Sequence, residues 1–203
     1  MSVAGRPMPA VALQLAVRDP PLPPALQEPL MLRVVSPSSE FELDEVRALM
    51  RGFVQWHRSR HVDDLDLIDR YFDSAAFEEE LATLPGKYTP PHGALLLATF
   101  DSRAAGCVAL RQISSGVCEM KRMYVYPAFH GKGVGRALAA AVIDEARALG
   151  YSSMVLDTSV RQAEAQRLYR RFGFEIIPPY YELPSDLRDW LVFMELKLTA
   201  QAR

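Results

Sequence analysis

The run His130-Gly131-Lys132-Gly133-Val134-Gly135-Arg136 is the part of the chain whose residue types and spacing say most about chemistry. Three alternating glycines strip side chains from a turn, so its backbone N–H groups can close on an anion, and a helix starting there adds the positive end of its dipole. The spacing predicts a site for a phosphate or pyrophosphate. The flanks agree: Tyr124-Val125-Tyr126-Pro127 ends a strand, and Leu138, Val142, Ala146 and Leu149 mark one face of the next helix before Gly150 stops it. A Walker loop is excluded, since it needs a wider interval between glycines followed by Lys-Ser or Lys-Thr, whereas Arg136-Ala137 follow here. A dinucleotide fingerprint fits less well than it should, because Pro127 to His130 separate strand and first glycine and the last glycine comes one residue early. Asp157 does lie about where a ribose-binding acid would fall, which keeps that alternative open.

What remains resembles the GNAT superfamily of acetyl-CoA-dependent N-acetyltransferases, whose pattern is Gln/Arg-x-x-Gly-x-Gly/Ala, with Gly133 and Gly135 on the two glycine positions. Ala165, Leu168, Tyr169, Gly173 and Phe174 add the spacing Ala-x-x-Leu-Tyr-x-x-x-Gly-Phe, which in that family completes the thiol end of the cofactor site. Two positions depart from the pattern: His130 stands where Gln or Arg is usual, and Gln162 where Asn is common. The resemblance covers roughly Gly93 to Leu198, and Leu84-Pro85-Gly86-Lys87-Tyr88 is similar to a subgroup of small bacterial members. It implies acetyl-CoA as acetyl donor. It further implies that main chain at Met123, Tyr124 and Val125 pairs with the pantetheine arm, that His130, Gly131, Lys132, Gly133, Val134, Gly135 and Arg136 surround the pyrophosphate, and that Gln162 touches the cofactor arm. Lys132 and Arg136 would supply positive charge. Tyr169 would be the general acid that protonates the departing thiolate, or else a core aromatic whose hydroxyl finds another partner.

Acetyl transfer to nitrogen needs a neutral amine. A lysine-like amine with a pKa near 10.4 is neutral in only about one part in a thousand near pH 7.4, equivalent to roughly 4 kcal/mol, so a base is useful. Strand Val117–Val125 carries Glu119, Lys121 and Arg122 in what should be a mostly apolar element, where charge costs free energy unless it is paired or functional. Glu119 is the first candidate base, with an ion pair to Lys121 or Arg122 as the plainer role. Asp157, on the next strand, competes: the family's splayed strands would let it face the acetyl group or the amine, and it could equally cap the following helix.

The acceptor is less legible. In the family the first two helices and the loop after Ile177 frame its pocket, which nominates Trp56, His57, His61, Tyr88, Tyr180 and Tyr181. His57 and His61 lack the further ligands a metal site needs, and no metal is expected. The expected acceptor is a small-molecule amine or amino acid, with a protein or peptide amine second. A catalytically silent acyl-CoA-binding sensor is the alternative from another function class.

These residues need a frame. The 203 residues, 49% hydrophobic and 24% charged, suffice for one sizeable core, and a net charge of -2 leaves no footprint for nucleic acid. No apolar run reaches bilayer length, and Met8 to Val17 is broken by Pro9 and Gln14 with no cleavage site after it, so neither membrane nor secretion is expected. Cys107 and Cys118 should lie on neighbouring strands, opposite about Arg122 and Arg111 respectively. That register forbids a bridge and fits free thiols in the cytoplasm. Residues 1–29, with Pro20-Pro21 and Pro23-Pro24, read as a disordered arm, and 30–203 as a single domain, monomeric or dimeric. Its pattern runs as a strand at Leu30–Val35, helices at about Leu43–Arg60 and Leu67–Leu84, and a meander at Leu95–Phe100, Gly106–Arg111 and Val117–Val125. Then follow the glycine-loop helix, a strand at Met154–Asp157, a helix at Ala163–Phe172, and strands near Phe174–Ile177 and Leu191–Leu198. This order predicts an α/β (α+β) fold: a GNAT-like mixed, mostly antiparallel central sheet of about seven strands, helices on both faces, splayed between the fourth and fifth strands.

Overall fold

The computed structural model describes Met1 and residues 31–198. Apart from Met1, the proline-rich arm lies outside the described residues. Seven strands form one sheet in the order β1 (Leu32–Val35), β2 (Gly93–Phe100), β3 (Arg103–Ser114), β4 (Val117–Val125), β5 (Ser153–Ser159), β7 (Leu191–Lys197) and β6 (Glu175–Ile177). Among the described residues only the β4–β5 pair is parallel. The expected architecture is therefore observed, including the splay: β4 and β5 pair only from Val117 to Glu119 against Ser153 to Val155, then separate.

Helices cover both faces. On one lie α4 (Val134–Ala148) and α5 (Ala163–Arg171), packing Leu138, Val142 and Tyr169 against Val108, Met120 and Leu156. On the other lie α1 (Glu40–Arg60), α2 (Leu65–Tyr71), α3 (Ser74–Ala82) and α6 (Ser185–Trp190), whose Leu49, Ile68, Leu81 and Trp190 meet Leu97, Tyr124 and Phe193. α1 begins three residues before the sequence pattern places it, because Ser39 and Glu42 form a reciprocal capping box that satisfies its first N–H groups. The second predicted segment, for which the sequence allows an interruption, is two helices, broken at Phe72-Asp73, where the Asp73 side chain caps α3 through the Ala76 N–H. α6 has no counterpart in the sequence reading; at six residues it is too short to show a period.

The β3–β4 register corrects one expectation. Cys107 faces Tyr124 rather than Arg122, and Cys118 faces Gln112 rather than Arg111. The cause is a pair of irregularities, one near the hairpin turn and one where Arg122 and Met123 together oppose Val108. At that bulge Arg122 takes a left-handed φ of 56°. Both thiols are buried and unbridged.

Candidate active site

The bulge and the splay together make a cleft. β4 loses β5 as a neighbour just where Met123, Tyr124 and Val125 reach the glycine loop, so one edge of this central strand faces open space. A cavity of about 540 Å³ fills that gap. Its lining includes Met123, Tyr124, Val125, His130, Gly131, Gly133, Val134, Gly135, Arg136, Asp157, Gln162 and Tyr169, so the structure brings these predicted residues together.

The loop end is built from main chain. Gly131 and Gly133 have φ of 75° and 83°, a region that disfavours side chains, and an added Cβ at either would project into open space. Gly133 is the N-cap of α4 and no side chain caps it, which leaves the first N–H groups of a 15-residue helix free for an anion. The His130 ring reaches back to the Val125 carbonyl at 3.0 Å and ties the loop to the end of β4. Arg136 faces the cleft. Lys132 does not line it: its ammonium lies over the rings of Phe100 and Phe129, 5.1 and 5.2 Å from their centroids. Cations that sequence reasoning missed, Arg167 and Arg171 on α5, line the cleft instead. They sit on the polar face of that helix, where a period argument assigns only solvent.

Deeper in, Tyr169 is buried on α5, and among the described residues its hydroxyl has no hydrogen-bond partner. Burial, with a smaller contribution from the charge of Asp157, raises its pKa well above the ordinary phenol value, so the hydroxyl keeps its proton at neutral pH. Gln162 precedes α5. It accepts from the Thr158 hydroxyl at 2.5 Å and its amide nitrogen stands 2.9 Å from Nε2 of His57. Since an amide nitrogen only donates, His57 accepts there and carries its proton on Nδ1. Burial, helped by the nearby His61, drives the pKa of His57 down to about 4, so it is a neutral imidazole.

Asp157 sits at the centre with a side chain only 2% exposed. Tyr71 donates to one of its oxygens, and Lys121 at 3.2 Å and Tyr181 at 3.0 Å to the other. Burial alone would raise this carboxyl, but the Lys121 charge and the three donors outweigh it and hold the pKa below the ordinary carboxylate range. Lys121, almost as deeply enclosed, is held above the ordinary lysine value by Asp157 and Glu119 despite its desolvation. Neither Lys121 nor Tyr71 was singled out for this role from sequence, although a lysine inside a buried strand is the signal that points to it.

Glu119 is fully buried, yet it does not line the cleft. It takes Arg111 at 2.5 Å, Tyr180 at 2.7 Å and Lys121 at 3.5 Å, and faces a second cavity. The ion pair expected as its plainer role is present, with Arg111 as the nearer partner, while Arg122 pairs with Glu80 instead. Tyr180 and Tyr181 also line the second cavity, whereas Trp56 and His57 line the first. Tyr88 lines neither: it is 2% exposed and donates to Glu80 at 2.8 Å. Among the described residues no group of His, Cys, Asp and Glu is arranged to hold a metal ion, and no helix is long and apolar enough to cross a membrane.

Known proteins are similar to this chain in sequence and fold. An uncharacterized N-acetyltransferase of Schizosaccharomyces pombe is 38% identical over 160 residues, covering 78% of this chain and 90% of its own. The human N-acetylaspartate synthetase is 31% identical over 120 residues, 57% of this chain and 40% of its own. Among solved structures, PaiA N-acetyltransferase of Thermoplasma acidophilum, determined in complex with coenzyme A, superposes with a TM-score of 0.60 at 17% identity, over 82% of this chain and 99% of its own, a likeness of fold. The family model described as "Acetyltransferase (GNAT) family" matches residues 47–174, from the middle of α1 to the residue before β6, and so takes in the glycine loop, the splay and Tyr169. The chain therefore belongs to the GNAT family of acetyltransferases and is an acyltransferase enzyme.

Proposed function

We propose that the protein moves the acetyl group of acetyl-CoA onto the primary amine of a small molecule or amino acid. The observation that carries this reading is one cavity in which an uncapped helix N-terminus, a free strand edge and an unpartnered buried tyrosine follow one another. Acetyl-CoA supplies an activated thioester. The N–H groups after Gly133 and the Arg136 side chain hold the diphosphate, and the open edge at Met123–Val125 pairs with the amide-bearing arm as a further strand would. Tyr169, protonated and without an internal partner, gives its proton to the departing sulfur. Of the two candidate carboxylates Asp157 lines the donor cleft, so it takes the amine's proton; its depressed pKa suits it to giving that proton up to water as the product leaves rather than keeping it. Glu119 acts as a positioning residue on the other side of Lys121. The name of the human relative supports an amino acid among the acceptor classes.

The silent acyl-CoA sensor draws support from one feature: the Asp157 oxygens already have three donors. Two measurements separate the readings. Thermal shift with acetyl-CoA, CoA, NAD and ATP should show stabilisation by the first two, and stabilisation by NAD or ATP alone defeats both readings. Thiol release from acetyl-CoA across amines, amino acids, polyamines, aminoglycosides and peptides should find an acceptor; binding without release for every class leaves the sensor.

A further inference from the structure

A second cavity, of about 470 Å³, opens on the side of Lys121 opposite the donor cleft, and both cavities have Tyr71, Lys121 and Arg122 in their walls. Tyr71, Lys121, Tyr180 and Tyr181 line it and also hydrogen-bond Asp157, so a molecule seated there comes nearest the donor cleft at this shared wall, beside Asp157. Its lining carries four cations, Arg70, Arg111, Lys121 and Arg122, against one carboxylate, Glu119. Three of the cations are committed elsewhere: Arg122 gives Nε and Nη2 to Glu80, Arg70 bridges Asp66 and Asp186, and Lys121 is held by Asp157 and Tyr71. Arg111 differs. It spends only Nε, on Glu119, and among the described residues its two terminal nitrogens have no partner, while its side chain remains 38% exposed.

Glu119 is in turn occupied on both oxygens, by Arg111 and by the Tyr180 hydroxyl. It therefore fixes the guanidinium in place and offers an incoming cation little. What the cavity presents to a ligand is a preset pair of parallel N–H donors with a formal positive charge, the fork that a carboxylate fills in a bidentate way. We propose that this cavity is the acceptor site and that the acceptor is an amino acid whose free carboxylate is clamped by Arg111, leaving its amine directed toward Asp157. This rests on the acetyl-transfer reading and names its substrate class. The volume lies in the range of small-molecule sites.

The test compares amino acids with their own C-terminal amides, which keep side chain and amine but lose the negative charge. With the full chain and saturating acetyl-CoA, kcat/KM should favour the acid over its amide by at least about 10-fold for the best acceptor, with the difference in KM. In Arg111→Gln that ratio should fall to about 1, and in Arg111→Lys, which keeps a charge beside Glu119, it should recover in part. Using a ratio cancels any general loss of folded enzyme, and should Arg111→Gln fail to fold, the wild-type ratio and the lysine variant still decide. Equal use of acid and amide by the wild type, or a ratio unmoved by both substitutions, overturns the carboxylate clamp while leaving acetyl transfer intact. Binding of the free amino acid to the CoA-loaded protein, measured by calorimetry, covers the opposite case. Arg111-dependent binding without any thiol release keeps the clamp and defeats the acetyl-transfer reading.

Discussion

The glycine loop and the Asp157 centre belong to one cleft but are assembled in opposite ways. The loop presents main-chain N–H groups from residues 130–136, consecutive in sequence and fixed by two left-handed glycines and an uncapped helix. The centre takes its chemistry from side chains on scattered segments: Tyr71 ends α2, Lys121 lies on β4, Asp157 on β5, and Tyr180 and Tyr181 in the stretch between β6 and α6. Main chain holds its dipoles whatever the neighbouring side chains are, so the loop should fail only when something fills it. The centre balances buried charges against each other, so it should fail when any one partner is lost.

The largest effect is expected from Lys121→Met. Removing the ammonium leaves the Asp157 carboxylate buried with hydroxyl donors only, and breaking one side of such a pair costs about 3–5 kcal/mol. Urea unfolding followed by far-UV circular dichroism should show this loss. Adding Asp157→Asn in the same chain should restore part of it, because the uncompensated charge is gone. A single variant as stable as the parent would mean that the centre tolerates imbalance as well as the loop does, and the contrast would collapse.

Acid probes the same side-chain region from another direction. His57 has a folded-state pKa of about 4 against an ordinary 6.5, so the unfolded chain binds a proton that the folded chain refuses. Stability unaffected by this group above pH 6.5 is therefore lost as pH falls from about 6.5 to about 4, and stays lost below. At about 1.36 kcal/mol per pH unit the full loss is about 3 kcal/mol. His57→Leu should flatten the decline between pH 7 and pH 4 by about that amount, read as the difference in unfolding free energy at the two pH values. An unchanged slope would show that acid acts elsewhere.

Gly135→Trp tests the loop. Ordinary contacts of 3.7 to 3.9 Å with Leu168, Val125 and Met123 leave no room there for an indole that does not enter the cleft. Acetyl-CoA affinity should fall by at least about 100-fold, near 2.7 kcal/mol, with the unfolding midpoint little changed. Calorimetric titration and thermal unfolding of one preparation give both numbers. Retained affinity would place the diphosphate elsewhere.

The same difference in construction explains what could be read in the sequence. A main-chain site is local, so its glycine spacing, the apolar face of α4 and the stop at Gly150 are visible as a string, and the mixed sheet follows from the order of periodic segments. The Asp157 centre has no such signature. Nothing near Tyr71 or Tyr181 marks them as neighbours of residue 157, because only the folded sheet brings α2 and the segment after β6 to the end of β5. Glu119 and Lys121 announced themselves as charges in an apolar strand, but alternation along a strand cannot say which cavity each would face once a bulge at Arg122 and Met123 has shifted the register. Lys132 shows a related effect. Its place in the loop suggests a phosphate ligand, whereas the structure sets its ammonium over the rings of Phe129, three residues before it, and Phe100, distant in sequence.

Tyr169→Phe has the smallest expected effect and joins the two regions, since its hydroxyl stands in the cleft between them. The residue is already 6% exposed and packs against Phe174 with ring centroids 5.8 Å apart, so losing one oxygen atom leaves the packing whole. The hydroxyl has no partner among the described residues, so its removal orphans nothing. Stability and acetyl-CoA affinity should therefore stay within error of the parent, while kcat falls at least about 10-fold, near 1.4 kcal/mol, because the leaving sulfur loses its proton donor. Part of that loss should return with acyl donors whose departing thiol is more acidic, since a better leaving group needs the proton donor less. A uniform fall across thioesters of different leaving-group acidity would instead make Tyr169 a residue that positions the thioester, and would move proton donation to a group in the Asp157 centre.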